Sequence, residues 1–151
     1  MALSRLENLY RAVILDHSSS PRNFGELSDA NGRLELHNPT CGDVILLHVR
    51  ITDDVIEEAK FSGHGCSIST ASASMMTELI KGKTMAEAKQ IIEEFLLLVQ
   101  GQKSEPSHLG DAEVLGGVAK FPARIKCATL SWKALERILL NPDHELKEES
   151  I

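Results

Sequence analysis

The chain has few aromatic residues. Phe, Trp and Tyr make up 4% of its 151 residues, and Trp132 and Tyr10 are each the only residue of their kind. Its core must therefore be aliphatic, and the 42% apolar content is enough to build one without disulfides. Positive charge is also scarce: 16 Lys and Arg stand against 22 Asp and Glu, a formal net charge of -6. That balance repels phosphate backbones, and no basic run with interleaved aromatics offsets it, so no nucleic-acid partner is expected. No window approaches the roughly 18 consecutive apolar residues of a membrane-spanning helix. The first twenty residues lack an apolar stretch followed by a small-residue cleavage site, which argues against a signal peptide. These absences predict a cytoplasmic protein with no membrane partner. The cysteine count is three, which is odd and a poor fit to a secreted disulfide scaffold. Reduced thiols in a cytoplasmic chain are buried fillers, catalytic groups or metal ligands.

The length predicts one domain over residues 1–151, with a charged, fraying tail from about 143 to 151. Leu6, Tyr10, Val13 and His17 recur at helical spacing and predict a helix over Leu3–His17, stopped by three serines and Pro21. Residues 21–32 read as a loop. Strands are predicted over 33–37, 44–51 and 55–62, the last two joined in a hairpin at Thr52-Asp53-Asp54, with 44–51 central. A helix follows over 67–81, and its first half, SISTASAS, is poor in large side chains. Those small residues permit close packing or leave space near the helix start. Gly82 ends this helix. Thr84 and Glu87 form a capping box for a helix reaching about Val99. Residues 101–117 read as a loop in which a short helix could hide at 111–115. Pro122 opens a last helix with a stripe of Ile125, Ala128, Trp132, Leu135 and Leu139. Segregated strands and helices predict an α+β fold, a small three-stranded antiparallel sheet packed against several helices.

Each cysteine falls at the end of an element. Cys41 lies in NPTCGD before a strand, Cys66 in SGHGC at a helix start, and Cys127 in FPARIKC within the first two turns of the last helix. Element ends are where a rigid scaffold presents functional groups. Free cysteine is often simply buried. Here, however, Cys41 and Cys66 have polar, glycine-rich neighbours, and Cys127 lies off the apolar stripe. Soft thiolates suit zinc, which takes four ligands, so three cysteines leave one position open. Asp43 stands two residues from Cys41 and points the same way if the chain is extended. It is the preferred fourth ligand, with His64 as competitor. Spacing alone carries less weight, because gaps of 25 and 61 residues match no zinc-finger pattern. Helix dipoles at Cys66 and Cys127 favour thiolate, and Arg124 and Lys126 add positive charge beside Cys127.

The segments YRAVILDHSSSPRNFG, NPTCGD, FSGHGCSISTASASMM and FPARIKC together resemble the SufU branch of the SufU/IscU family of iron–sulfur biogenesis proteins, over nearly the whole chain. The resemblance implies an α+β fold with one small antiparallel sheet, and Cys41, Asp43, Cys66 and Cys127 as the metal-site residues. One Zn²⁺ per chain is the implied cofactor, with a [2Fe–2S] cluster as the alternative. Lys126 stands where the scaffold branch has histidine, and the segment between Cys66 and Cys127 is longer than in that branch. Both features resemble the zinc-dependent sulfurtransferase branch.

The implied partner is a SufS-type, pyridoxal-phosphate cysteine desulfurase. Cys41 would accept its persulfide sulfur after a histidine of the desulfurase replaces Cys41 on zinc. The sulfur would then pass to the downstream iron–sulfur assembly machinery. Cys41, Asp43 and Arg124 would carry the transfer, and Arg124, Lys120 and Lys126 would form a basic docking end on an acidic protein. Two alternatives belong to other classes. One is an iron–sulfur cluster scaffold of IscU type. The other is a zinc-stabilised adaptor that activates the desulfurase allosterically without carrying sulfur.

Overall fold

The structure is a computed structural model and describes residues 2–102, 108–140 and 148–150. In chain order it contains α1 (Ala2–Ser19), β1 (Gly32–Asn38), β2 (Asp43–Thr52), β3 (Val55–His64), α2 (Ser67–Ile80), α3 (Met85–Leu98), a 3₁₀ segment (Gly110–Lys120), α4 (Pro122–Leu140) and β4 (Glu148–Ser150).

The three long strands form the expected antiparallel sheet, with β2 between its neighbours. Alternation decides which face is covered. Leu34 and Leu36 of β1, Ile45, Leu47 and Val49 of β2, and Ala59 and Phe61 of β3 are all buried beneath the helices. Asp53 and Asp54 both have positive φ, 52° and 64°, as a two-residue type I′ hairpin turn requires. That turn twists with its strands and pairs Thr52 with Val55. A second hairpin joins β1 to β2 through Pro39–Gly42. It is closed by the Asn38–Asp43 pair and by Gly42 N–H donating to the Asn38 carbonyl at 2.8 Å. Both edges of the sheet are occupied. Backbone bonds from Asn23, Gly25, Gly82 and Lys83 cover β3, and β4 pairs in parallel with β1. The tail was expected to fray. Instead residues 148–150 return to the sheet, while 141–147 and 151 lie outside the described residues.

The small residues of α2 serve close packing. Ala71, Ser72, Ala73 and Ser74 are buried, with α1 and α4 laid against the helix. Polar atoms trapped there are paired across helices. Trp132 Nε1–H donates to Ser72 Oγ at 2.8 Å, and Ser72 donates to the Ala128 carbonyl at 2.5 Å. The Trp132 ring also stacks on Phe95 of α3, with centroids 4.0 Å apart. On the other side of α2, the buried His17 ring lies between Ser74 Oγ at 2.8 Å and Asp111 Oδ2 at 3.0 Å. That bridge joins α1, α2 and the 3₁₀ segment. On α1, Val13 is half-buried and His17 buried, as the helical stripe predicted; the Leu6 and Tyr10 side chains lie outside the described residues. The capping box at Thr84 and Glu87 forms as predicted. Residues 110–120 are helical well beyond the short helix expected at 111–115, and residues 103–107 of that loop lie outside the described residues. The result for function is local. The β1–β2 loop and the starts of β2, α2 and α4 meet at one end of the sheet.

Candidate metal centre

Each element delivers one functional side chain for a local reason. Cys41 rides the Pro39–Gly42 loop, whose reversal needs Gly42 at φ 75°, and it is exposed. Asp43 is the first residue of β2, on the inward face that Ile45 and Leu47 continue, and it is fully buried. Cys66 is the N-cap of α2, its sulfur accepting the Ser69 N–H at 3.4 Å, and it is exposed. Cys127 lies in the second turn of α4 and is buried.

Three of these side chains converge. One ligand atom each from Cys41, Asp43 and Cys127 lies within 4.8 Å of the others. Cys66 joins from the side: its N–H donates to Asp43 Oδ1 at 2.9 Å, and its thiol adds a negative neighbour to Cys127. The Ser69 hydroxyl stands 3.3 Å from Asp43 Oδ1 and 3.0 Å from the Cys66 carbonyl, one proton shared between two acceptors. Asn38 Nδ2 reaches Asp43 Oδ2 at 3.2 Å and Cys127 Sγ at 3.8 Å. His64, the competing fourth ligand, is exposed at the end of β3 and stands outside the converging group. Arg124, Lys120 and Lys126 are exposed, and among the described residues none is hydrogen-bonded or ion-paired to the cluster.

The electrostatics follow from burial and donors. Burial works to raise the Asp43 carboxyl, but the Cys66 N–H and the neighbouring side-chain donors outweigh it. The group is held below its ordinary range and stays anionic. Cys127 goes the other way. Burial pushes its thiol up, and the hydrogen bonds its S–H makes with Asp43 and Cys41, together with the neighbouring Cys66, push it further. Cys127 lies off the Ile125–Trp132 stripe and is nevertheless buried. Asn38 of β1, Asp43 of β2 and Cys66 at the start of α2 stand against it.

Two sulfurs and a carboxylate gathered within 4.8 Å, with the Cys66 thiol beside them and no cation paired to them among the described residues, form a donor set that fits a soft divalent metal. The backbone is shaped around it. A Cβ on Gly65 would stand 2.5 Å from both Asp43 Oδ1 and Ser69 Oγ. Gly63, at φ 122°, would place one 2.0 Å from the Val44 carbonyl.

Asn38 and Ser69 were missed by sequence reasoning. Asn38 had a signal: the inward positions of β1 are Gly32, Leu34, Leu36 and Asn38, and an amide ends an apolar alternation. Ser69 had none inside the run of small residues.

Fold and cluster together define a class, an α+β domain that gathers thiols and a carboxylate at one end of a small antiparallel sheet. The chain belongs to the family of NifU-like N-terminal domains, whose model matches residues 9–128. It is 54% identical over 135 residues to the zinc-dependent sulfurtransferase SufU of Bacillus subtilis, covering 89% of this chain and 91% of that one. It is 51% identical over 140 residues to the iron–sulfur cluster assembly scaffold protein IscU of Streptococcus pyogenes, covering 92% and 87%. A crystal structure of a candidate SUF-system cluster assembly scaffold from Fervidobacterium islandicum superposes with a TM-score of 0.82 at 35% identity, covering 87% of this chain and 96% of that one.

Proposed function

We propose that this protein is a zinc-dependent sulfurtransferase that accepts persulfide sulfur on Cys41 from a SufS-type cysteine desulfurase and delivers it for iron–sulfur cluster assembly. The observation that carries the reading is the asymmetry of the cluster. An exposed, loop-borne thiol stands within 4.8 Å of a buried carboxylate and a buried thiol. The 54% identity to a sulfurtransferase of that name supports it.

In this reading Cys41, Asp43, Cys66 and Cys127 hold one Zn²⁺, which when bound keeps thiols deprotonated and carries no electrons. The chain's own residues do the rest. The Pro39–Gly42 loop presents Cys41 to the partner and can move without disturbing the sheet. Cys127 and Asp43 stay buried, and Cys66 stays at its helix cap. The Cys41 thiolate attacks the outer sulfur of the partner's persulfide. The sulfur–sulfur bond of that persulfide breaks, the partner's thiolate leaves, and the persulfide is now on Cys41. Atoms and charge balance without an outside oxidant. Arg124, with Lys120 and Lys126, presents positive charge beside this end for an acidic face of the desulfurase.

The test is single-turnover transfer from a persulfidated desulfurase, read by intact and peptide mass spectrometry. One added sulfur atom appears on Cys41 in the wild type, is absent in Cys41→Ser, and forms more slowly in Arg124→Ala. Sulfur accumulating on Cys66 or Cys127 while zinc stays bound would refute the assignment of roles. Relatives named as scaffolds favour a second reading, an IscU-type scaffold. That reading requires a stoichiometric [2Fe–2S] cluster after anaerobic reconstitution, transferable to an apo-acceptor. An adaptor that only activates the desulfurase would raise partner turnover and never carry sulfur.

A further inference from the structure

Asn38 is fully buried at the last inward position of β1, where the two preceding inward residues are Leu34 and Leu36. Its amide is used in one direction only. The two hydrogens of Nδ2 face two different cluster members, Asp43 Oδ2 at 3.2 Å and Cys127 Sγ at 3.8 Å. Its oxygen, Oδ1, is buried and has no donor among the described residues. A buried amide oxygen without a partner is unfavourable, and few survive in native folds. A leucine would continue the β1 pattern and avoid it. Turning the amide over is no remedy, because Oδ1 would then face a carboxylate and a sulfur. The position therefore keeps an amide at the expense of its oxygen, and what it gains is the paired donor.

We infer that Asn38 is a positioning residue of the metal centre. Through one nitrogen it ties the start of β2 to the second turn of α4, and so sets how firmly Asp43 and Cys127 hold the metal when Cys41 departs. The inference rests on the metal-site reading above. Asp43 and Cys127 belong to elements far apart in the chain; beside their own hydrogen bond and the Cys66 side chain, Asn38 bonds to both through a single amide nitrogen. The other Asp43 oxygen is already taken by the Cys66 N–H and the Ser69 hydroxyl. Asn38 thus fixes the one carboxylate oxygen that those donors leave.

The test is metal release. Protein purified with its zinc is mixed with excess chromogenic chelator, and release is timed for wild type, Asn38→Leu and Asn38→Ser. Leucine keeps the volume and removes the donor; serine keeps a shorter donor. Asn38→Leu should release zinc about 10-fold faster or more, the usual effect of losing an outer hydrogen-bond partner. Asn38→Ser should fall between it and wild type. The thiolate-to-metal charge-transfer band of the cobalt-substituted protein should shift in Asn38→Leu. A purely structural Asn38 predicts a different pattern: a lower melting temperature of the metal-free protein, with release rate and cobalt spectrum as in wild type. That pattern overturns the inference. If Asn38→Leu does not fold, Asn38→Ser decides, and release at the wild-type rate overturns it equally. Wild-type protein that holds no metal would instead overturn the reading of the site itself.

Discussion

The three cysteines are chemically alike and differ in setting. Cys41 is exposed on a hairpin loop, Cys66 is exposed but engaged as a helix cap, and Cys127 is buried and hydrogen-bonded to Asp43. Removing each should therefore have a different effect. Cys66→Ala and Cys127→Ala should lose zinc and melt lower, because ligation contributes folding free energy. Cys41→Ala should keep most of the stability, since its loop contributes nothing to the core. A ligand held at about 100 times its Kd contributes ~2.7 kcal/mol. For a chain of this size its loss lowers Tm by about 5–10 °C. Differential scanning calorimetry of the three variants, with and without chelator, checks this. Equal melting temperatures for chelated and untreated wild type would break the link between metal and fold.

At the scale of elements, the sequence reads well wherever local chemistry decides. The capping box at Thr84 and Glu87 and the proline opening α4 need only neighbouring residues, and both form where predicted. The Asp53–Asp54 turn is similar, but its residues are not the best for the job. Both sit in the left-handed region, where an L-residue is disfavoured and glycine is not. Asp54→Gly should therefore stabilise the protein by up to about 1 kcal/mol, seen as a higher denaturant midpoint with an unchanged slope. A lower midpoint would mean that the aspartate carboxylate is recruited in the turn. The 110–120 segment was underestimated because its order comes from elsewhere: Ala112, Leu115 and Val118 are buried against helices remote in sequence, and Asp111 is bonded to His17.

The whole molecule adds a pH response. No helix among the described residues is long and apolar enough to cross a membrane, and the open face of the sheet carries polar side chains instead. One of them, His48, is buried beneath the 26–30 loop. Burial holds its imidazole below the ordinary value of 6.5, nearby Arg33 acts in the same direction, and Glu26 opposes. The Leu27 N–H donates to Nδ1 at 2.9 Å and so requires that nitrogen to be unprotonated. The folded state thus favours neutral His48. The unfolded chain binds the proton first as pH falls past 6.5, so this contribution is present above 6.5 and is lost as pH drops through the lower, folded value. Tm should decline as pH falls below 6.5. His48→Gln, which retains an acceptor for Leu27, should decline less over the same range. Parallel curves for the two proteins would remove His48 from the account.

The sequence by itself determined the class of fold, the order of the elements, the central place of β2 and the identity of the chemically distinctive residues. Periodicity, caps, turns and the rarity of cysteine act through neighbours along the chain, and they are legible there. Tertiary structure decided which of those residues meet. His64 and Asp43 were both open as the fourth ligand. The β1–β2 hairpin brings Asp43, on the inward face, to Cys41 and Cys127, and leaves His64 exposed at the end of β3. It buried Cys127 against the sheet although the helical stripe had placed it outside the core. It also gave Asn38 two partners, one of them 89 residues away. Contacts of that kind arise from the register of two hairpins and the packing of α2 on α4, and no local pattern encodes them.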